Sequence, residues 1–147
     1  MYYPRAIEST ARHISETFPV MPLTGPRQVG KTTLLQKMAG GTNRKYVTLD
    51  NPTIRNIAKT EPELFLQRYA PPVIIDEVQY APELFDYIKI YVDTHKQNGD
   101  FWLTGSQAFH MMNRVNESLA GRVGVIRLLG LSNSEITGNY FPEFIVS

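Results

Sequence analysis

Residues 20–32, VMPLTGPRQVGKT, join a short apolar strand pattern to a complete phosphate-loop motif, G-x-x-x-x-G-K-[ST]. Gly25 and Gly30 carry no Cβ, so successive backbone N–H groups of the loop can turn inward toward phosphate oxygens. Leu34 and Leu35 continue the pattern as a helix, whose N-terminal dipole end favours an anion. The stretch therefore predicts a strand, a phosphate-binding loop and a helix in series.

The two residues that close the motif have predicted roles of their own. Lys31 would bring a positive charge to the outer phosphates, and the hydroxyl of Thr32 would ligate Mg²⁺. The plain alternative is a glycine-rich turn with an exposed lysine, which the strand before the motif and the helix after it disfavour. The residues predicted to line the nucleotide site are Gly25, Pro26, Arg27, Gln28, Val29, Gly30, Lys31, Thr32 and Thr33.

A second apolar strand pattern ends in two adjacent carboxylates, VIIDE at residues 73–77. Beside a phosphate loop Asp76 can reach the Mg²⁺ shell, so Thr32 and Asp76 are the predicted metal residues. Glu77 leaves the strand end and can act on the attacking water as a base or an orienter. In isolation, a strand that merely ends in acidic turn residues explains the string equally well. The complete motif upstream favours the catalytic interpretation.

A third pattern, FWLTGS at residues 101–106, ends in hydroxyl side chains. In a doubly wound sheet, ligands collect at the carboxyl ends of the strands. Thr104 or Ser106 would therefore hydrogen-bond the γ-phosphate or the attacking water. The alternative is an ordinary turn of small residues, because Gly105 and Ser106 are common turn formers.

Strand and helix patterns alternate along the chain. Strands are predicted at 20–24, 46–49, 73–75, 101–103 and 123–128. Helical spacing covers 7–18, 31–39, 84–99 and 109–119. Asn51-Pro52 predicts a capped helix start, and Thr60 with Glu63, like Ser132 with Glu135, forms a capping-box pattern. The alternation predicts an α/β fold, a three-layer sandwich around a mostly parallel five-stranded sheet.

Composition narrows the classes of protein. The chain has 147 residues, 15 Lys+Arg against 14 Asp+Glu, and no cysteine. The near-neutral charge does not support a nucleic-acid binder driven by phosphate neutralisation. The absence of cysteine excludes a disulfide scaffold and a cysteine nucleophile. Without a long apolar run or a leader pattern, we expect a cytoplasmic protein that does not enter the membrane.

The motifs together resemble the ATPase core of the AAA-type superfamily. They are most similar to the prokaryotic "ATP-binding protein" family, which has an AAA-like N-terminal domain followed by a C-terminal domain of unknown function. The resemblance implies the strand order 5-1-4-3-2. The segments that carry it are YPRA (3–6), LTGPRQVGKTT (23–33), LD (49–50), IIDEVQ (74–79), LTGS (103–106) and LAGR (119–122).

The resemblance also implies further roles. A sensor residue ends the fourth strand, which fits Thr104 or Ser106, and an arginine finger acting in a neighbouring subunit fits Arg122. A homo-oligomer would follow, although a surface arginine explains Arg122 equally well and Arg114 is the reserve candidate. Asp50, Gln79 and Arg27 are expected beside the site, unless they serve as caps and turn contacts.

Length departs from the family pattern. Such relatives continue past the fifth strand into a lid and a larger C-terminal domain. The expected organisation here is therefore an ATP-binding core at 1–129 and a tail at 130–147, the stump of a missing lid or C-terminal region.

The predicted function is Mg²⁺-dependent binding and slow hydrolysis of ATP, in the service of a client that the sequence does not identify. The alternative is a nucleotide-gated binding module, or switch, with little turnover. A small-molecule phosphotransferase is less favoured, because it would need an arginine-rich lid and an acceptor site that the sequence does not offer. A GTPase would need a guanine-reading N-K-x-D string, which is lacking.

Overall fold

Short, largely apolar runs form the central strands of the sheet, and amphipathic segments form the helices. The structure, a computed structural model, describes residues 5–25, 30–106, 113–115, 117–127 and 145–146. The strands are β1 (Val20–Thr24), β2 (Lys45–Thr48), β3 (Val73–Asp76), β4 (Phe101–Gly105), β5 (Gly124–Arg127) and β6 (Ile145–Val146). The helices are α1 (Arg5–Thr17), α2 (Lys31–Ala39), α3 (Pro52–Thr60), α4 (Pro62–Arg68) and α5 (Leu84–His95).

The sheet has the order β2-β3-β4-β1-β5-β6. Strands β1 to β5 all run parallel to one another, so the predicted parallel five-stranded sheet and its order 5-1-4-3-2 are confirmed. The structure adds β6, which pairs antiparallel with β5 through Gly124 opposite Val146. Two residues are too few to produce a periodic signal, which is why this strand was not predicted.

Helices cover both faces of the sheet. In β3, Val73 and Ile75 pack into a core with α3, α4 and α5, whereas Ile74 packs into a second core with α1 and α2. This division follows from the two-residue repeat of a strand, which sends successive side chains to opposite faces. Strands buried on both sides need continuous apolar runs, and the sequence has them. The three-layer architecture is thereby confirmed.

Two predicted helix starts have different outcomes. Asn51 caps α3 as predicted, accepting hydrogen bonds from the N–H groups of Thr53 and Ile54. The capping box at Thr60 is wrong, because Thr60 ends α3 and α4 begins at Pro62. Proline disfavours a helical residue before it and suits the first helical position, so it moves the start. The Ser132 and Glu135 pattern lies outside the described residues.

Candidate functional site

The carboxyl ends of β1, β3 and β4 meet at one edge of the sheet, because the three strands are parallel and adjacent. This edge is called the carboxyl edge below. It brings together the glycine loop after Thr24, the carboxylates at Asp76 and Glu77, and the hydroxyl of Thr104. Ligands of open α/β sheets bind at such edges. The structure therefore assembles most of the residues that the sequence marked separately.

The phosphate loop joins β1 to α2. Gly30 precedes α2 with φ 78° and ψ 29°, a left-handed conformation that favours glycine. Lys31 is only 4% exposed, and its Nζ donates to the carbonyl oxygen of Gly25 at 2.9 Å. The lysine side chain thus folds back to Gly25, the first residue of the motif. Pro26, Arg27, Gln28 and Val29 lie outside the described residues, and Thr33 is exposed on α2.

Asp76 accepts hydrogen bonds from three hydroxyl groups. Thr32 donates to Oδ1 at 2.9 Å, and Thr104 donates to the same oxygen. Tyr46, on β2, donates to Oδ2 at 2.8 Å. The carboxylate is buried, so these bonds replace the water it gives up and fix the orientation of its plane.

Glu77 lies directly after β3 in a left-handed conformation, with φ 57° and ψ 48°. A side chain with a Cβ adopts this conformation at a cost of about 1–2 kcal/mol. Its N–H donates to Oγ1 of Thr104 at 3.0 Å, which holds the turn in place. Its Oε1 accepts from Nε2 of Gln79 at 2.7 Å and from the hydroxyl of Ser106 at 3.2 Å. Thr104 therefore contacts the backbone of Glu77, whereas Ser106 contacts its carboxylate.

The same edge gathers three acidic groups. One carboxylate oxygen from each of Asp50, Asp76 and Glu77 lies within 4.8 Å of the others. Magnesium binds carboxylate and hydroxyl oxygens and keeps several waters, so this donor set, together with the Thr32 hydroxyl, fits the ion. Asp50 and Gln79 lie beside the other site residues, as expected from the sequence.

Tyr46 is the site residue that sequence reasoning missed. Burial raises the pKa of the Tyr46 phenol well above its ordinary value, and the hydrogen bond to Asp76 raises it further. The phenol is therefore a hydrogen-bond donor throughout the physiological pH range. Its position follows from the pairing of β2 with β3, which places Thr48 opposite Asp76 and Tyr46 two residues before it on the same face. No local motif signals this contact.

Arg122 is not brought to the site. Its carbonyl oxygen accepts from the N–H of Val20 at the start of β1, so it lies at the opposite edge of the sheet, called the amino edge below. Its guanidinium binds both carboxylate oxygens of Asp93, at 2.7 and 2.9 Å, and the carbonyl of Ala120 at 2.6 Å. The bond to Arg122 holds the pKa of Asp93 below its usual range. The reserve candidate Arg114 forms an ion pair with Glu117 at 3.6 Å.

A groove of about 310 Å³ between α4 and α5 is separate from this constellation. Its walls include Leu66, Tyr87 and Ile90, and none of its lining residues belongs to the phosphate loop or to the carboxylate cluster. The converging polar groups are at the carboxyl edge, so that edge is the candidate site.

Comparison with known proteins gives the family. A family model described as an AAA domain matches residues 17–137, and the chain belongs to this family. Fold and family together define an AAA-type P-loop ATPase core. This relationship supports nucleotide binding and an ATPase-type function. In the described residues, no helix is long and apolar enough to cross a membrane.

Two mycobacterial proteins resemble the chain in sequence. They are the uncharacterized proteins Rv2008c of Mycobacterium tuberculosis (strain ATCC 25618 / H37Rv) and Mb2031c of Mycobacterium bovis (strain ATCC BAA-935 / AF2122/97). Each is 34% identical over 118 residues, which make up 80% of this chain and 26% of the relative. The chain thus corresponds to a minor part of these longer proteins.

Solved structures share the fold. The Walker-type ATPase PABY2304 of Pyrococcus abyssi has a TM-score of 0.63 at 17% identity, covering 97% of this chain and 57% of that one. A DNA replication initiation factor has a TM-score of 0.56 at 12% identity, with coverage of 84% and 44%. The Thermotoga maritima RuvB Holliday junction branch migration motor has a TM-score of 0.53 at 16% identity, with coverage of 86% and 45%. At these identities the likeness concerns the fold alone.

Proposed function

We propose that the chain binds Mg·ATP at the carboxyl edge and hydrolyses it slowly. The observation that carries the proposal is the convergence of Thr32, Asp76, Glu77 and Thr104 directly behind the glycine loop. These residues come from three separate segments of the chain, and hydrogen bonds join them into one cluster. A cluster of hydroxyls and carboxylates next to a phosphate loop is the arrangement that phosphoryl transfer needs.

The loop and Lys31 hold the phosphates. The glycine-loop motif predicts backbone N–H groups that hydrogen-bond phosphate oxygens, and the N-terminus of α2 adds a positive potential. Lys31 exchanges the Gly25 carbonyl for the outer phosphates when nucleotide enters. Because this carbonyl is a neutral acceptor and a phosphate is anionic, the exchange strengthens the hydrogen bond.

Thr32 and Asp76 hold the metal ion. When bound, Mg²⁺ neutralises charge on the phosphate oxygens. The Thr32 hydroxyl already donates to Asp76, so a lone pair of its oxygen is left to face the ion. Thr104 and Tyr46 hold the Asp76 carboxylate from two further sides.

Glu77 orients the attacking water, and Thr104 or Ser106 senses the γ-phosphate. The strained turn at Glu77 and the bond from its N–H to Thr104 place its carboxylate at the strand end. Gln79 and Ser106 occupy one of its oxygens, so the other can face a water molecule. An arginine-finger role for Arg122 in a homo-oligomer remains a prediction, and it requires the guanidinium to leave Asp93.

Phosphate binding is tested by Lys31→Ala. We expect calorimetry to show loss of ATP binding, because the variant lacks the ammonium group that would bind the outer phosphates. Lys37→Ala is the matched control, since Lys37 is on the same helix and forms a surface ion pair with Glu8 at 2.9 Å. Unchanged ATP affinity in Lys31→Ala would refute the site.

The role of Glu77 is tested by Glu77→Gln. We expect ATP affinity to persist while phosphate release falls roughly 10²–10⁴-fold, the usual worth of a positioned base. Glu83→Gln is the control, because Glu83 is exposed and lies 3.9 Å from Lys59. If Glu77→Gln turns over like the parent chain, another group acts on the water.

A nucleotide-gated switch with little turnover is the second candidate. The two hydrogen bonds that Oε1 of Glu77 accepts from Gln79 and Ser106 favour it, because they compete with water for the carboxylate. A phosphate-release assay with Mg²⁺ separates the two functions. Tight ATP binding without release of phosphate would select the switch.

A further inference from the structure

The phenol of Tyr46 is the unexpected group at the candidate metal site. It donates to Oδ2 of Asp76 at 2.8 Å, while Thr32 and Thr104 donate to Oδ1. The three donors come from three different elements, β2, α2 and β4, and together they bind both oxygens of the carboxylate. Tyr46 belongs to neither of the two hydrophobic cores and is 40% exposed. Apolar packing therefore does not account for its position.

The register of β2 against β3 explains why the residue is a tyrosine. Thr48 lies opposite Asp76, but its hydroxyl accepts from the N–H of Asp50 at 3.2 Å and its side chain is short. Tyr46 is the next residue on that face, a diagonal neighbour at a typical distance of about 7–8 Å, within reach of a long aromatic side chain. Phenylalanine would span the distance without offering a donor.

Building on the proposed function, we propose that Tyr46 is a positioning residue that sets the orientation of Asp76 for the metal ion. Without the phenol, Oδ2 would lose this hydrogen bond and the carboxylate could rotate away from Thr32. Loss of a partner that holds a metal ligand in place typically costs about 10–100-fold in metal affinity or activity. Because β2 is the outermost strand and pairs only with β3, Tyr46 can act in this way without disturbing either core.

Tyr46→Phe tests the assignment, because the ring stays and only the hydroxyl is removed. Calorimetry with ADP and increasing Mg²⁺ gives the half-saturating Mg²⁺ concentration without any need for turnover. We expect Tyr46→Phe to raise this concentration about 10-fold. We also expect ADP affinity without metal to stay close to that of the parent chain. Tyr87→Phe, which alters a similarly exposed tyrosine on α5, should change none of these values.

The results distinguish failure of the Tyr46 proposal from failure of the proposed function. An unchanged Mg²⁺ requirement in Tyr46→Phe, with the parent chain binding Mg·ADP, overturns the role of Tyr46 and leaves the nucleotide site standing. A parent chain that binds Mg·ADP but releases no phosphate overturns hydrolysis alone, and the Mg²⁺ requirement still decides on Tyr46. A parent chain that binds no Mg·ADP overturns both. Equal loss of ADP affinity with and without metal would show a structural role and reject positioning.

Discussion

The two edges of the sheet use charge in opposite ways. At the carboxyl edge, the carboxylates of Asp50, Asp76 and Glu77 lie close together, and the buried Lys31 begins the helix that follows the glycine loop. At the amino edge, Arg122 forms a two-pronged ion pair with Asp93. Arg44 lies near Asp100 there and stacks 3.7 Å from the centre of the Trp102 ring. At the amino edge the acidic groups thus lie next to basic groups, whereas at the carboxyl edge three acidic groups lie next to one another.

The difference indicates where the fold serves function. Opposite charges that pair contribute to folding or cost little, so the amino edge needs no ligand to explain it. Carboxylates held close together repel one another, and folding alone gives no reason to collect them. A bound cation would remove that repulsion. The comparison therefore supports a cation site at the carboxyl edge and a structural role for the amino edge.

Among the substitutions that compare the two edges, the largest expected effect comes from Thr104→Val at the carboxyl edge. This change removes a buried hydroxyl that donates to Asp76 and accepts from the N–H of Glu77. Leaving a buried donor unpaired costs about 1–3 kcal/mol of stability. We expect turnover to fall about 10²-fold as well, because the groups around Asp76 and Glu77 would lose their alignment. Chemical denaturation and phosphate release measure the two effects.

Thr24→Val is the matched control for this change. Thr24 is a buried threonine on the neighbouring strand, paired with Gly105, and its hydroxyl has no hydrogen-bond partner among the described residues. Replacing an unpaired buried hydroxyl with a methyl group should leave stability unchanged or increase it. If both variants lose stability equally, the hydrogen bonds of Thr104 are not what distinguishes this site.

An intermediate effect is expected from Asp100→Asn at the amino edge. Burial raises the pKa of Asp100 above its ordinary value of 3.8, although nearby His95 and Arg44 oppose the rise. The folded chain then keeps its proton longer than the unfolded chain, so stability falls as the pH rises from 3.8 through the folded pKa. The Asn side chain does not ionise, so the variant lacks this loss of stability. The melting temperature of the variant, relative to that of the parent chain, should therefore increase as the pH rises. A difference in melting temperature that does not change with pH would contradict this.

The smallest effect is expected from separating Arg122 and Asp93. Because the pair lies at the surface, Arg122→Ala and Asp93→Ala should each lower the melting temperature only slightly. We expect each variant to keep turnover within about twofold of the parent chain, as for most surface changes. A loss of turnover confined to Arg122→Ala, on the order of 10³-fold, would instead support the arginine finger and break the contrast between the edges.

The sequence predicted those features of the fold and the site that depend only on residues close together along the chain. The phosphate-loop motif and the apolar run before Asp76 each lie within one segment, so local spacing is enough to find them. Thr104 and Ser106 could not be told apart, because their partners are 27 to 29 residues away along the chain. The capping pattern of Thr60 and Glu63 predicted the wrong start for α4, because the effect of Pro62 on the preceding residue is stronger.

The linear order of residues by itself determined that a phosphate loop follows a strand, and that the next buried strand ends in two carboxylates. These features are local, since glycine conformations and strand alternation act between adjacent residues. Only the tertiary structure decided that Tyr46 reaches Asp76 and that Arg122 binds Asp93. Such contacts depend on which strands pair and in what register, and many distant residues fix that pairing together.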